Sequence, residues 1–156
     1  MKYTLSKLII SVLAVAFLIL ITGCTTEKKP LQEPLKIQSF SFSHHGTSSE
    51  SFYTYSIEKT EKGAQICVET LSDTYTTNCS EDILKDLSDI ATEYRLDLWN
   101  GFKKSNQHIL DGEGFSLSIT LQDGSIIDAH GSNTFPENYY DAEIAINKLF
   151  EQFCEY

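Results

Sequence analysis

Cations are scarce in this chain: 12 lysines and arginines stand against 22 acids among 156 residues, a formal charge of −10. A protein that neutralises a phosphate backbone needs clustered basic side chains. The only adjacent pairs are Lys28-Lys29 and Lys103-Lys104, which excludes nucleic acid as a partner. Also missing is an apolar run of the roughly 20 residues that a membrane-spanning helix requires. The longest, Leu8 to Ile21, has 14 residues with Ser11 its only polar member, and soon gives way to Glu27-Lys28-Lys29. No G-x-S-x-G elbow, H-E-x-x-H pair or paired-cysteine zinc motif occurs, so no known catalytic signature is present and no metal or other cofactor is expected. Internal repeats and low-complexity segments are absent as well.

What is present begins at the N-terminus. Lys2 and Lys7 followed by the apolar run have the layout of a secretory signal peptide. Its end, Leu20-Ile21-Thr22-Gly23-Cys24, resembles the lipobox of bacterial lipoproteins. That resemblance implies cleavage between Gly23 and Cys24 and acylation of the Cys24 thiol with palmitate-class chains. Two chains matter physically, because one binds a bilayer only marginally. The expected organisation is a signal peptide over 1–23, a lipidated tether over 24–36 and a single globular domain over 37–156. Its expected address is the extracytoplasmic face of the cell membrane or outer membrane.

Cleavage would remove Lys2 and Lys7 and no acid, leaving 10 basic and 22 acidic residues, a formal charge of −12. Anionic lipid headgroups would repel such a globule. The twelve residues from Thr25 to Lys36 reach roughly 20 Å as a flexible chain, beyond the roughly 8 Å over which charge is felt in physiological salt. The domain is therefore expected to stand off the membrane, held by lipid alone.

With Cys24 acylated, Cys67, Cys79 and Cys154 remain. If the segments around Ile66 and Thr76 form a hairpin with the loop Ser72-Asp73-Thr74, Cys67 faces Cys79 within bridging range. A Cys67–Cys79 disulfide with Cys154 free is the expectation. Three unpaired thiols, in a protein of a reducing habitat, is the open alternative.

Periodicity predicts the fold class. Phe40 and Phe42 alternate with Ser39, Ser41 and Ser43 over 37–45, and further strands are expected over 51–58 and 64–71. Ser80 is placed to cap a helix with Ile83, Leu84, Leu87, Ile90, Ala91, Tyr94 and Leu98 on one stripe, closed by Asn100-Gly101. A hairpin follows, with Phe115, Leu117, Ile119 and Leu121 alternating with small polar residues. A three-residue loop with Gly124 left-handed pairs Ile119 with Ile127 and Leu117 with Ala129, whereas a two-residue loop would bury His130 and Asp128. A last helix is predicted over about 138–153, with Ile146, Leu149, Phe150 and Phe153 inward. The class is α+β: four to six antiparallel strands covered on one face by two helices.

That register sets Ser116 opposite His130 and Ser118 opposite Asp128. A small hydrolase using a serine with His130 and Asp128 is one reading of this face; the other is the polar side of a one-sided sheet. His44-His45 point to opposite sides of a strand and cannot share a metal ion. His108 with Asp111 lacks a ligand pattern, and Asp111-Gly112-Glu113-Gly114 lacks calcium-loop spacing. Trp99 and Phe102 around Asn100-Gly101, and Tyr139 after Pro136, are candidates for an aromatic patch that grips a partner protein. They serve equally as lids over a small core.

Leu98-Trp99-Asn100-Gly101-Phe102, Leu110-Asp111-Gly112 with Phe115-Ser116-Leu117, and Gly131-Ser132-Asn133 with Phe135-Pro136-Glu137-Asn138-Tyr139 look like a pattern of uncharacterised bacterial lipoproteins. The resemblance implies a shared envelope domain and carries no activity or site residues with it. The functional expectation is a lipid-anchored, non-enzymatic binding or envelope-associated module. Its alternatives are the hydrolase and an inhibitor or assembly factor acting through the aromatic loop. An envelope protein or a small ligand would be its partner.

Overall fold

Phe40, Phe42 and His44 share one side of the first strand and serines hold the other, and this alternation organises the whole domain. The computed structural model describes residues 33–47, 52–109 and 112–153. Gly23, Cys24, Asp111 and Cys154 lie outside them. Four strands come first: β1 (Ile37–His45), β2 (Tyr53–Thr60), β3 (Gly63–Thr70) and β4 (Thr74–Cys79). Helix α1 (Asp82–Glu93) and a 3-10 turn (Leu96–Trp99) lead to β5 (Lys103–Ser105), β6 (Gly114–Leu121) and β7 (Ile126–Ser132). Helix α2 (Tyr139–Glu151) closes the domain.

The strands make one sheet in the order β4-β3-β2-β1-β6-β7-β5, antiparallel except for the parallel pair β5–β7. The α+β class is as expected, with seven strands rather than four to six. The addition at the far edge is β5, which has no apolar alternation to announce it. It is held through the backbone instead: Gly101 N donates to Asp128 O, His130 N donates to Phe102 O, and Lys103 registers with His130.

Across the inner face Phe40 lies between Ile57 and Ile119, and Phe42 between Tyr55 and Leu117. A register shift between Ile37 and Ser39 lets Ile37 and Phe40 both turn inward despite their odd spacing. The outer face carries hydroxyls. Ser39, Ser41 and Ser43 lie beside Thr120, Ser118 and Ser116 on one flank, and Ser41 and Ser43 beside Ser56 and Thr54 on the other.

Both helices contribute to the core against the inner face. α1 buries Ile83, Leu84, Leu87, Ser88 and Ala91, and the Ser88 hydroxyl donates to Leu35 O at 2.5 Å. α2 buries Tyr139, Ala142, Ile146 and Phe150, with Phe150 stacked on Tyr55 at 4.4 Å. Leu149 and Phe153 pack at its margin.

The first helix is shorter than its apolar stripe suggests. It ends at Glu93, and Arg95 adopts a left-handed conformation (φ 55°), its guanidinium gripping both Asp97 oxygens at 2.9 and 3.0 Å. That break rephases the chain: Leu96 is fully buried while Leu98, expected on the stripe, is 48% exposed.

The expected Cys67–Cys79 bridge is not formed. Both thiols are free, because the β3–β4 turn is tighter than the one assumed. Thr70 N donates to Asp73 O at 2.8 Å, leaving only Leu71-Ser72 as the loop. Cys67 therefore faces Thr76, and Cys79 faces Ala64. An odd offset moves the two cysteines to opposite faces of the sheet. The β6–β7 hairpin, in contrast, has the expected three-residue loop, with Gly124 at φ 84° and Ile119 opposite Ile127.

Leu87, 1% exposed, is the centre of the α1 stripe. Leu87→Ala is expected to lower unfolding free energy by about 3 kcal/mol; urea denaturation with an unchanged midpoint would refute its place in the core.

Candidate functional site

A polar cluster sits inside this aromatic core. Inward parity on β1 brings His44 to 6% exposure, directly opposite Tyr53 of β2, with the two rings stacked at 5.4 Å. From the helical side, Tyr139, Glu143 and Asn147 follow one another at four-residue intervals along a single ridge of α2. His44 Nδ1 lies 2.9 Å from Glu143 Oε1 and 2.8 Å from the Tyr139 hydroxyl. The Tyr53 hydroxyl donates to the same Glu143 oxygen at 2.5 Å and accepts from Asn147 Nδ2 at 3.2 Å.

Electrostatics assign the protons. Burial pushes the Glu143 pKa up, but hydrogen bonds from His44 and Tyr53 and the His44 charge outweigh it, so the carboxyl sits below its usual range. An ionised carboxylate only accepts, which places a proton on His44 Nδ1 facing it. Tyr53 and Tyr139 are both raised above the ordinary phenol range, first by burial and then by Glu143, through a hydrogen bond to Tyr53 and its charge near Tyr139. Both stay neutral: the Tyr53 hydroxyl donates to Glu143, and the Tyr139 oxygen accepts from the protonated His44 Nδ1. The cluster joins β1, β2 and α2 by short polar contacts among aromatic rings. The Asn147 Oδ1 atom, buried within it, has no hydrogen-bond partner among the described residues.

Sequence reasoning missed this site because it weighed His44 only as a metal ligand. Two signals were available: His44 continues the inward parity of Phe40 and Phe42, and the Tyr139-Glu143-Asn147 file runs beside the apolar stripe of α2. Among the described residues no group of three or more His, Cys, Asp or Glu side chains is placed to hold a metal.

The aromatic patch is corrected. Trp99 is 2% exposed and Tyr139 is 1% exposed, both too deep to grip a partner. Tyr139 packs against Phe115, Phe135 and Trp99, and Trp99 Nε1 donates to Glu137 O at 3.2 Å. Asn100-Gly101 forms a type II turn, with Gly101 at φ 77° and Phe102 N donating to Trp99 O. That turn folds Trp99 inward and leaves Phe102 half-buried under Lys104. The loop residues close the core.

Ser116, Ser118, Asp128 and His130 share the exposed outer face in the anticipated register. Each lies mid-strand, and the Asp128 carboxylate faces Lys103 Nζ at 3.4 Å. Gly131-Ser132-Asn133 turns the chain: Asn133 is left-handed (φ 54°), and its Nδ2 donates to Asn106 O and Ile109 O. The Asn133 side-chain amide fills the space a Cβ at Gly112 would need, so a larger residue there would have to displace it.

The chain matches no protein-family model and no curated protein.

Two measurements check this site. Trp99 is the sole tryptophan, so native emission should be blue-shifted and resist iodide; red-shifted, freely quenched emission would contradict its burial. Glu143→Gln should cost about 2 kcal/mol at pH 7. Because the folded pKa of Glu143 is depressed, its contribution is complete above its unfolded value near 4.3 and fades as pH falls through the folded one. The gap between wild type and variant in urea titrations should therefore shrink below about pH 5; a gap constant to pH 3 would remove Glu143 from the acid response.

Proposed function

We propose that this protein is a lipid-anchored lipoprotein of the extracytoplasmic face of a bacterial membrane, with its folded domain serving as a non-enzymatic binding or envelope-associated module. One observation carries the reading: a basic and apolar N-terminus ending in Leu20-Ile21-Thr22-Gly23-Cys24. A chain cut before Cys24 and acylated there keeps a short tether before β1. The far end of that tether is fastened, with Leu35 O and Lys36 O accepting from Ser88 Oγ and Gln122 N. No helix among the described residues is long and apolar enough to cross a membrane.

The non-enzymatic part draws support from the two places where catalytic residue types gather. The Ser116, Asp128 and His130 face offers mid-strand hydroxyls with no sharp turn to activate them. The His44–Glu143 pair packs among aromatic rings and is hydrogen-bonded to Tyr139 and Tyr53, as a structural tie would be.

Growth with radiolabelled palmitate tests the anchor. The wild-type chain should carry label and have the mass of residues 24–156 plus acyl groups, whereas Cys24→Ser should be unlabelled and retain residues 1–23. An unlabelled wild-type chain, or one that keeps its first 23 residues, would overturn the proposal.

A further inference from the structure

The two edges of the sheet are built differently. β5 has three residues, two of them Lys103 and Lys104, and short charged edges discourage further pairing. β4 has none of these safeguards. Its six residues, Thr-Tyr-Thr-Thr-Asn-Cys, carry no charge and no proline, and five of them are exposed. Threonine and tyrosine favour extended backbone, so this edge is ready to pair.

Hydrogen-bond alternation fixes which groups it offers. Thr70 N bonds to Asp73 O across the turn, so every second residue from Asp73, namely Tyr75, Thr77 and Cys79, turns its backbone groups toward β3. Thr74, Thr76 and Asn78 turn theirs outward. Those three are evenly spaced about Thr76. An antiparallel copy of the same strand, related by a twofold axis at Thr76, would satisfy all of them: Thr76 against Thr76, and Thr74 against Asn78 in both directions.

We infer that β4 is a self-association edge, and that its occupant is β4 of a second copy of this chain. The side chains agree with the backbone. On the outer face the register sets threonine against threonine, and on the inner face Tyr75 against Thr77, both favourable cross-strand pairs. Asp73 would fall opposite Cys79, so this register opposes no two acids directly even though each chain is strongly acidic. An open cavity of about 440 Å³, lined by Thr74, Tyr75, Thr76, Thr77, Gln152 and Phe153, lies beside the edge and under the end of α2. It has room for the second copy's inward side chains. The product is one continuous sheet with both helical layers on the same side.

Disulfide trapping tests the pairing on the full chain purified in detergent, where the result does not depend on acylation of Cys24. Hydrogen-bonded antiparallel partners lie about 5.5 Å apart at Cα, within bridging range. Under mild oxidation Thr76→Cys should give at least about tenfold more covalent dimer than either the parent chain or Lys104→Cys on the opposite edge. Dimer no greater than in those two controls would overturn the inference. Adding Thr74→Pro removes an outward N–H and spares the bonds to β3. It should abolish trapping while Trp99 emission stays native, and trapping that persists with proline at 74 would equally overturn it. Capture of a different protein from membrane extracts, with no self-dimer, would assign the edge to a foreign strand and reject a second copy.

Discussion

The packing of Phe40 and Phe42 on the inner side of β1 is the constraint on which the remaining structure depends. β1 lies at the centre of the sheet with β2 and β6 on its flanks, and those two phenylalanines stand in register with inner residues of both. Phe150 from the last helix lands on Phe40, and Tyr139 lands on Phe42. Chain segments distant in sequence are therefore brought together by a pair of side chains two positions apart. A slip of β1 by one residue would put serines against the helices and expose both rings, so the hydrophobic pattern and the register enforce each other.

Elements with strong periodicity were legible in the sequence. β1, the β6–β7 hairpin and the inner face of the last helix follow from alternation or from a 3.6-residue stripe, and the pairing of Ile119 with Ile127 follows from refusing to bury Asp128. Three features were not legible for physical reasons. The β3–β4 turn was misjudged because Leu71-Ser72 carries no glycine or asparagine to mark a two-residue loop, and the cysteine pairing failed with it. The helix stop at Arg95 depends on a left-handed arginine tied to Asp97, a side-chain bond no propensity reports. β5 is held by backbone bonds and an exposed Lys103–Asp128 pair, with no apolar alternation, so its sequence had little to show.

The site was obscured for a related reason. A histidine, a glutamate and two tyrosines far apart in the chain meet only because β1 parity and the α2 ridge converge, and neither pattern names its counterpart. The same burial that hides Trp99 and Tyr139 from any partner opposes the Glu143 charge, which the hydrogen bonds from His44 and Tyr53 sustain. A surface reading of the aromatics and an interior reading of the polar cluster are thus two sides of one packing arrangement, and depth decides between them.

The hydroxyl side of the sheet has a consequence for how this domain can evolve. Its serines and threonines fill no cavity and are sealed under no helix, so polar residues can replace one another there at little cost to the core. The reverse side locks almost every position through ring contacts or the hydrogen-bonded His44–Glu143 cluster. Sequence drift should therefore be partitioned by the plane of the sheet, with variation accumulating on one surface while the other stays fixed. Descendants could acquire new specificity on that terrace without unsettling the architecture beneath it.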